Sequence, residues 1–251
     1  PFSVLNGIAQ TPLLRIDGGL VCSRGYDERS QILLDLAGDE WPAHIPESPS
    51  REEALDALRR FREPLKDFPW GDEHSRSVAL ACMITILGRN IFPNSPLFAF
   101  DAPSRGTGKS KLAEIAARIG TGRPASMMQF AGDEVEMDKA VHAALLESDQ
   151  VLCIDNLDRP LKSAALCTLL TQTRYKRRVL GVSATAGPVT TSTTVLVTGN
   201  NIAIVGDLTR RVLVCRLDAR TERPEERLFD REPVSWVREH RNQLVADGLT
   251  M

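Results

Sequence analysis

The feature that most restricts this chain is an alternation, beginning at Leu97, of short apolar runs with stretches of helical periodicity. Residues 97–101, 126–130 and 151–155 read as strands, and 109–119, 133–146 and 161–171 as helices; residues 194–198 and 212–217 complete a set of five strands. Strands that are apolar on both faces and separated by helices specify an α/β fold with a mainly parallel sheet covered on both sides. Ligands of such sheets bind at the carboxyl ends of the strands. Residues 179–192 break the alternation and read as an inserted β-hairpin with a turn near Ala186-Gly187. The expected divisions are a small β-rich region over residues 1–48, a helical segment over 49–95, the α/β core over 96–220 and a C-terminal helical segment, a partial lid, over 221–251.

Ahead of the core, residues 12–17, 20–23 and 32–35 read as short strands around a Gly18-Gly19 turn, and Pro42, Pro46 and Pro49 mark a connector. Ser50 opens a helix, because Glu53 stands at capping-box spacing and Leu55, Leu58 and Phe61 recur on one face. Residues 75–88 read as a second helix, apolar almost all round and so buried between layers. Residues 234–245 form the one clear helix of the tail.

Charge excludes some functions. Thirty-one Lys and Arg against thirty-three Asp and Glu leave a net charge of -2, so nucleic-acid binding must use a local patch. The densest basic cluster is Arg174, Lys176, Arg177 and Arg178, with Tyr175 inside it. Two readings stay open there: a solvated helix end, or a grip on a DNA backbone with Tyr175 stacking on a base. The longest apolar run, residues 78–87, falls short of the roughly 18 residues of a bilayer span, so no membrane partner is expected. No basic segment followed by an apolar run opens the chain, and Pro1 in the first position suggests a piece of a longer protein. The five cysteines are odd in number and widely spaced, which reads as reduced core thiols in a cytoplasmic protein. The four histidines are isolated, so a zinc site is not expected.

The sharpest chemical signal is the turn Asp101-Ala102-Pro103-Ser104-Arg105-Gly106-Thr107-Gly108-Lys109-Ser110-Lys111, between the first core strand and its helix. Gly106 and Gly108 let the backbone curl so that its N–H groups and the helix dipole face phosphate oxygens. In this reading the turn from Pro103 to Lys111 cradles ATP, Lys109 neutralises its terminal phosphates and the Ser110 hydroxyl holds Mg²⁺. The pattern departs from G-x-x-x-x-G-K-[ST] at Pro103, which stands where the first glycine would. Residues 151–155 end in Asp155, as a Walker B strand must if its carboxylate is to reach the Mg²⁺ shell. Asn156 follows, and an amide can orient water without accepting its proton. Either hydrolysis is slow, or Asp158, Glu134 or Glu136 serves as the base.

Further motifs carry a resemblance. Thr198-Gly199-Asn200-Asn201 follows the fourth strand and Asp207-Leu208-Thr209-Arg210-Arg211 precedes the fifth. Asn200 resembles the sensor-1 residue of AAA+ ATPases, and Arg211, with Arg210 second, resembles their arginine finger, which a neighbouring subunit inserts beside the γ-phosphate. The inserted hairpin is similar to the pre-sensor-1 hairpin of superfamily 3 and minichromosome-maintenance helicases. Taken together, Ala-Pro-x-x-Gly-x-Gly-Lys-Ser, Asp-Asn, Thr-Gly-Asn-Asn and Arg-Arg resemble the helicase-like ATPase part of primase-helicase replication proteins of phages, plasmids and integrated elements. The resemblance covers residues 97–218, with a weaker echo at Gly25-Tyr26-Asp27. It implies a P-loop NTPase fold of the AAA+ type, catalysis by Lys109, Asp155, Asn156, Asn200 and Arg211 or Arg210, a metal at Ser110 and Asp155, a hexameric ring, and single-stranded or forked DNA as partner. The chain departs from the family at Asn156 and in having no lysine at the hairpin tip around residues 184–187; it carries no primase motif. Three functions therefore stand: an ATP-driven DNA motor, a nucleotide-gated binding or assembly module with little hydrolysis, and, least favoured, a small-molecule kinase.

Overall fold

The computed structural model describes residues 4–176, 189–227 and 229–251. The amino-terminal region holds β1 (Gly7–Ala9), β2 (Leu13–Leu14), β3 (Leu20–Val21), β4 (Gly25–Asp27) and β5 (Ile32–Leu34). β2 and β3 close the expected hairpin. β1 and β4 are additional to the sequence reading: β5 lies between them, parallel to β1 and antiparallel to β4. Three-residue strands are too short to show a period, so their existence rests on long-range contacts such as the fork of Arg15 on Asp27.

Helix α1 (Arg51–Phe61) starts as expected: the Ser50 hydroxyl accepts from Glu53 N–H and the Glu53 carboxylate accepts from Ser50 N–H. α2 (Glu73–Leu87) begins earlier than expected, because Asp72 takes the capping role by accepting from Ser75 N–H at 2.6 Å.

The core follows as β6 (Leu97–Ala102), α3 (Lys109–Thr121), β7 (Ser126–Met128), α4 (Glu134–Leu146), β8 (Val151–Leu157), α5 (Ala164–Thr171), β9 (Arg174–Tyr175), β10 (Val189–Thr190), β11 (Thr194–Asn200), β12 (Val212–Arg216) and α6 (Pro233–Thr250). Strands β6, β7, β8, β11 and β12 pair in parallel in the order β12-β6-β11-β8-β7. The first core strand thus lies between the fifth and the fourth, the α/β arrangement of a P-loop NTPase. α5 starts three residues later than expected, since Ser163 caps it and Leu161 bridges to Ile204 instead. β9 and β10 are antiparallel and form the stem of the inserted hairpin. Arg174 therefore sits on a strand and not at a helix end. The expected first hairpin strand at 179–183 and the turn after it, together with Arg177 and Arg178, lie outside the described residues.

Strand alternation sorts the sheet's side chains into two layers. Phe98, Phe100, Cys153, Leu196 and Cys215 face α2, α3 and α6, while Leu97, Ala99, Ile154, Val195 and Val197 face α4 and α5. Burying a side chain of this size contributes about 1.5–3 kcal/mol, against about 1 kcal/mol net for a hydrogen bond. The layers therefore hold the sheet. On one side the helices touch closely: a Cβ on Gly120 of α3 would stand 2.2 Å from Ile86 Cγ2 of α2. The amino-terminal region docks against the end of α3, where Thr11 donates to Gly120 O at 2.6 Å and Arg241 of α6 donates to Arg118 O and to Thr11 Oγ1. Among the described residues no helix is long and apolar enough to cross a membrane. All five cysteines are free, and burial pushes the Cys82, Cys153 and Cys215 thiols up, Cys153 to about 12.

Candidate nucleotide site

The carboxyl ends of β6, β8 and β11 meet around the turn that follows β6. Gly106 and Gly108 hold φ of +76° and +101°, conformations open to glycine at little cost, and this curls the turn back over the start of α3. α3 has no side-chain cap, whereas Ser50, Asp72, Asp133, Ser163 and Glu232 cap the other α-helices among the described residues. Its first-turn N–H groups and positive dipole end are thus left to an anion.

The Lys109 ammonium is half-buried and donates to Ser104 O at 3.0 Å, Thr107 Oγ1 at 3.3 Å and Asn200 Oδ1 at 2.7 Å. None of these is a carboxylate, and burial holds its pKa below the usual lysine range, with Asp101 and Asp155 pulling it partly back up. A cation held by neutral oxygens at an uncapped helix start suits a phosphate group.

Asp155 is aimed from two sides. Ser110 donates to its Oδ1 at 3.2 Å and Thr198 at 2.6 Å. The same Thr198 hydroxyl accepts from Asn156 N–H at 2.9 Å. This knot occupies a β-bulge: Ile154 and Leu157 of β8 pair with Val197 and Gly199 of β11, so Asp155 and Asn156 together oppose Thr198. Asn156 takes φ +53°, a left-handed conformation that Asn tolerates better than Glu. The bulge gives a backbone reason for an amide at this position. Hard oxygens from a hydroxyl and a carboxylate are the donor set Mg²⁺ accepts beside a phosphate-bearing ligand; among the described residues no three-residue cluster of His, Cys, Asp or Glu competes with them.

The other expected residues divide. The Pro103 carbonyl accepts from Asn201 Nδ2 at 3.4 Å, tying the turn to β11, and Arg105 is exposed beside it. Lys111 turns away from the turn, donating to Glu232 at 3.2 Å and lying 5.1 Å over the Phe229 ring. Glu134 is committed elsewhere, its Oε1 accepting from Ser163 Oγ and Ala165 N–H at the start of α5. Glu136 pairs with Lys139, and Asp158 is exposed beside Arg159. Arg211 folds back, donating to Asp207 O at 2.6 Å, whereas Arg210 donates to the Asp207 carboxylate at 3.2 Å with its side chain 70% exposed. Both stand at the amino end of β12, a five-residue strand away from the turn's edge of the sheet. Arg174 and Lys176 are exposed, but Tyr175 is 1% exposed with its hydroxyl on Asp138, so it is unavailable for stacking on a base.

Sequence reasoning passed over three contributors. Thr198 stood within the quoted motif without a role. Asp101 accepts from Ile202 N–H at 3.0 Å and so anchors the loop after β11. Glu225 and Phe229 lie against the turn: a Cβ on Gly106 would meet Glu225 N at 2.9 Å, and Phe68 and Phe229 lie against Gly108. No periodic or spacing signal marks these residues.

No protein-family model and no curated protein matches the chain. Among solved structures, the apo A form of the NrS-1 C-terminal region is similar over 91% of this chain and 52% of that one, with a TM-score of 0.50 and 12% identity. JCV helicase is similar over 79% of this chain and 59% of its own, at TM-score 0.40 and 10% identity, and over 79% and 60% with an acetamide compound bound, at 0.36 and 11%. The chain spans about half the length of the NrS-1 region. At such identity the likeness concerns the fold.

Proposed function

We propose that the chain is an ATP-binding and ATP-hydrolysing motor domain acting on single-stranded or forked DNA, as a ring of copies, hexameric in the resembled families, in mobile-element replication. The observation that carries this reading is the meeting of three strand ends, which joins Lys109 to Asn200 and Ser110 to Asp155 at an uncapped helix start. The residues present fit Mg-ATP. Lys109 and the N–H groups of the turn bind the terminal phosphates, exchanging internal acceptors for phosphate oxygens. Ser110 and Asp155 would hold Mg²⁺, which when bound offsets charge on the phosphates. Asn200 orients groups about the terminal phosphate, and Thr198 keeps Asp155 pointed at Ser110.

Arg210 and Arg211 are separated from the turn by the length of β12, so a finger must come from another copy. Exposure favours Arg210, reversing the order expected from sequence. Leu213 and Val214, exposed on the edge strand β12, supply apolar surface for that association. Arg174 and Lys176 at the hairpin stem face solvent and suit a DNA backbone.

The bulge at Asn156 favours a second reading, a nucleotide-gated assembly module with little hydrolysis. With Glu134 committed to α5 and Glu136 paired with Lys139, Asp158 is the one left of the three carboxylates that the sequence offered as a base. Steady-state ATPase assays with and without single-stranded DNA test the motor. The expected result is stimulated turnover that Lys109→Ala lowers at least about 100-fold. A protein that stays monomeric at high concentration, with unstimulated turnover, refutes it. A large gain in turnover in Asn156→Glu, with oligomerisation retained, favours the gated module.

A further inference from the structure

At the opposite edge of the sheet from the phosphate turn lies a cavity of about 620 Å³. Its walls come from the ends of chain entering β6, β8 and β11, represented by Phe92, Gln150 and Thr191, and from the amino-terminal region, represented by Leu14 and Arg29. That volume is ordinary for a ligand site.

Arg89 is the unusual group in this wall. It is 6% exposed, and its guanidinium donates only to backbone carbonyls: Thr191 O at 2.7 Å, Thr193 O at 3.4 Å and Phe92 O. Among the described residues no carboxylate pairs with it, and burial holds it down at about 10. A buried guanidinium has five N–H donors, so two remain beyond these three bonds. The other lining cations, Arg15 and Arg29, are each paired with an aspartate. The cavity therefore has one uncompensated positive charge, and its complement is a single anionic group. Three residues on, Phe92 is 40% exposed and lines the same cavity, its ring edge preset by close contact with Gly88, where a Cβ would stand 3.1 Å away. An exposed aromatic beside a guanidinium is the pairing that accepts a base together with its phosphate. Thr173 and Thr190 also line the cavity: Thr173 precedes β9, and Thr190 of β10 pairs with Arg174.

We propose that this cavity receives one nucleotide unit of single-stranded DNA, the phosphate on Arg89 and the base against Phe92, next to the backbone contacts of Arg174 and Lys176. The proposal rests on the DNA reading above but not on the phosphate turn. Because Arg89 also holds the carbonyls of Thr191 and Thr193, an occupant there touches the base of the inserted hairpin.

The test measures fluorescence anisotropy of a labelled short oligothymidylate with the wild-type chain, Phe92→Ala and Arg89→Gln, with thymidine monophosphate as competitor. ATP binding is followed by calorimetry on the same samples. Expected are about tenfold weaker oligothymidylate binding in Phe92→Ala and Arg89→Gln, with ATP binding retained in both variants. Phe92 is exposed, so its variant carries the test even where Arg89→Gln fails to fold. Wild-type affinity in Phe92→Ala overturns the proposal while leaving DNA binding through Arg174 and Lys176 intact. Competition by thymidine monophosphate without oligothymidylate binding also overturns it, in favour of a free-nucleotide site.

Discussion

Replacing Thr198 by valine keeps the shape of a side chain that is 2% exposed and deletes one hydroxyl. That hydroxyl donates to the Asp155 carboxylate at 2.6 Å and accepts from Asn156 N–H at 2.9 Å. A hydrogen bond to a charged group contributes about 1.5–3 kcal/mol, and the part-buried Asn156 N–H left without an acceptor costs about 1 kcal/mol, the low end for such a group. Burying one more methyl returns about 0.8 kcal/mol, so the net loss is about 2–3 kcal/mol. Urea unfolding reads this as a midpoint lower by about 1 M. The functional effect is separate: with Asp155 held by Ser110 alone at 3.2 Å, Mg²⁺-dependent nucleotide turnover should fall about 10–100-fold. Thr198→Ser keeps the hydroxyl, so it should recover turnover and lose only about 1 kcal/mol of stability. A valine variant within about 0.5 kcal/mol of wild type, with turnover intact, would show that the bulge aims Asp155 without help from Thr198.

Gly120→Ala places a methyl 2.2 Å from Ile86 Cγ2 where α3 crosses α2, and thermal unfolding should report about 1–3 kcal/mol of lost stability; an unchanged midpoint would mean that the helices separate freely. Asp27, forked by Arg15, has its carboxyl held well below the ordinary range, chiefly by that hydrogen bond. A depressed carboxylate stabilises above the unfolded value of about 3.9 and loses that contribution as pH falls towards its folded value. Arg15→Gln should therefore be less stable than wild type at neutral pH, with the gap closing below about pH 3; an equal gap at both pH values would refute the linkage.

Much of the core was visible in the order of residues. Each of the five strands and the helices between them appears near its expected place, because buried strands and amphipathic helices leave different periods in the chain. Boundaries moved where an unexpected side chain took the cap, Asp72 ahead of the expected start of α2 and Ser163 inside the expected span of α5. The turn between β6 and α3 was legible because it is local: glycines, a lysine and a serine lie within one turn. Tyr175 misled for a geometric reason. In the stem strand β9 its neighbours face solvent and it faces α4, so a basic context on paper became an aromatic in the core.

What the sequence by itself determined are the features carried by neighbours along the chain: the α/β alternation, the capping box at Ser50, the curl at Gly106 and Gly108, and the carboxylate ending a buried strand. Tertiary structure alone decided which distant groups share a site. Asn200 reaches Lys109 and Thr198 reaches Asp155 only because β11 inserts between β6 and β8, and the bulge there sets the conformation of Asn156. Arg89 is buried without a carboxylate only because the hairpin stem closes over it. Local order is read from residues that must be adjacent. Strand order and the burial of a charge depend on contacts between segments far apart in the chain, and spacing records neither.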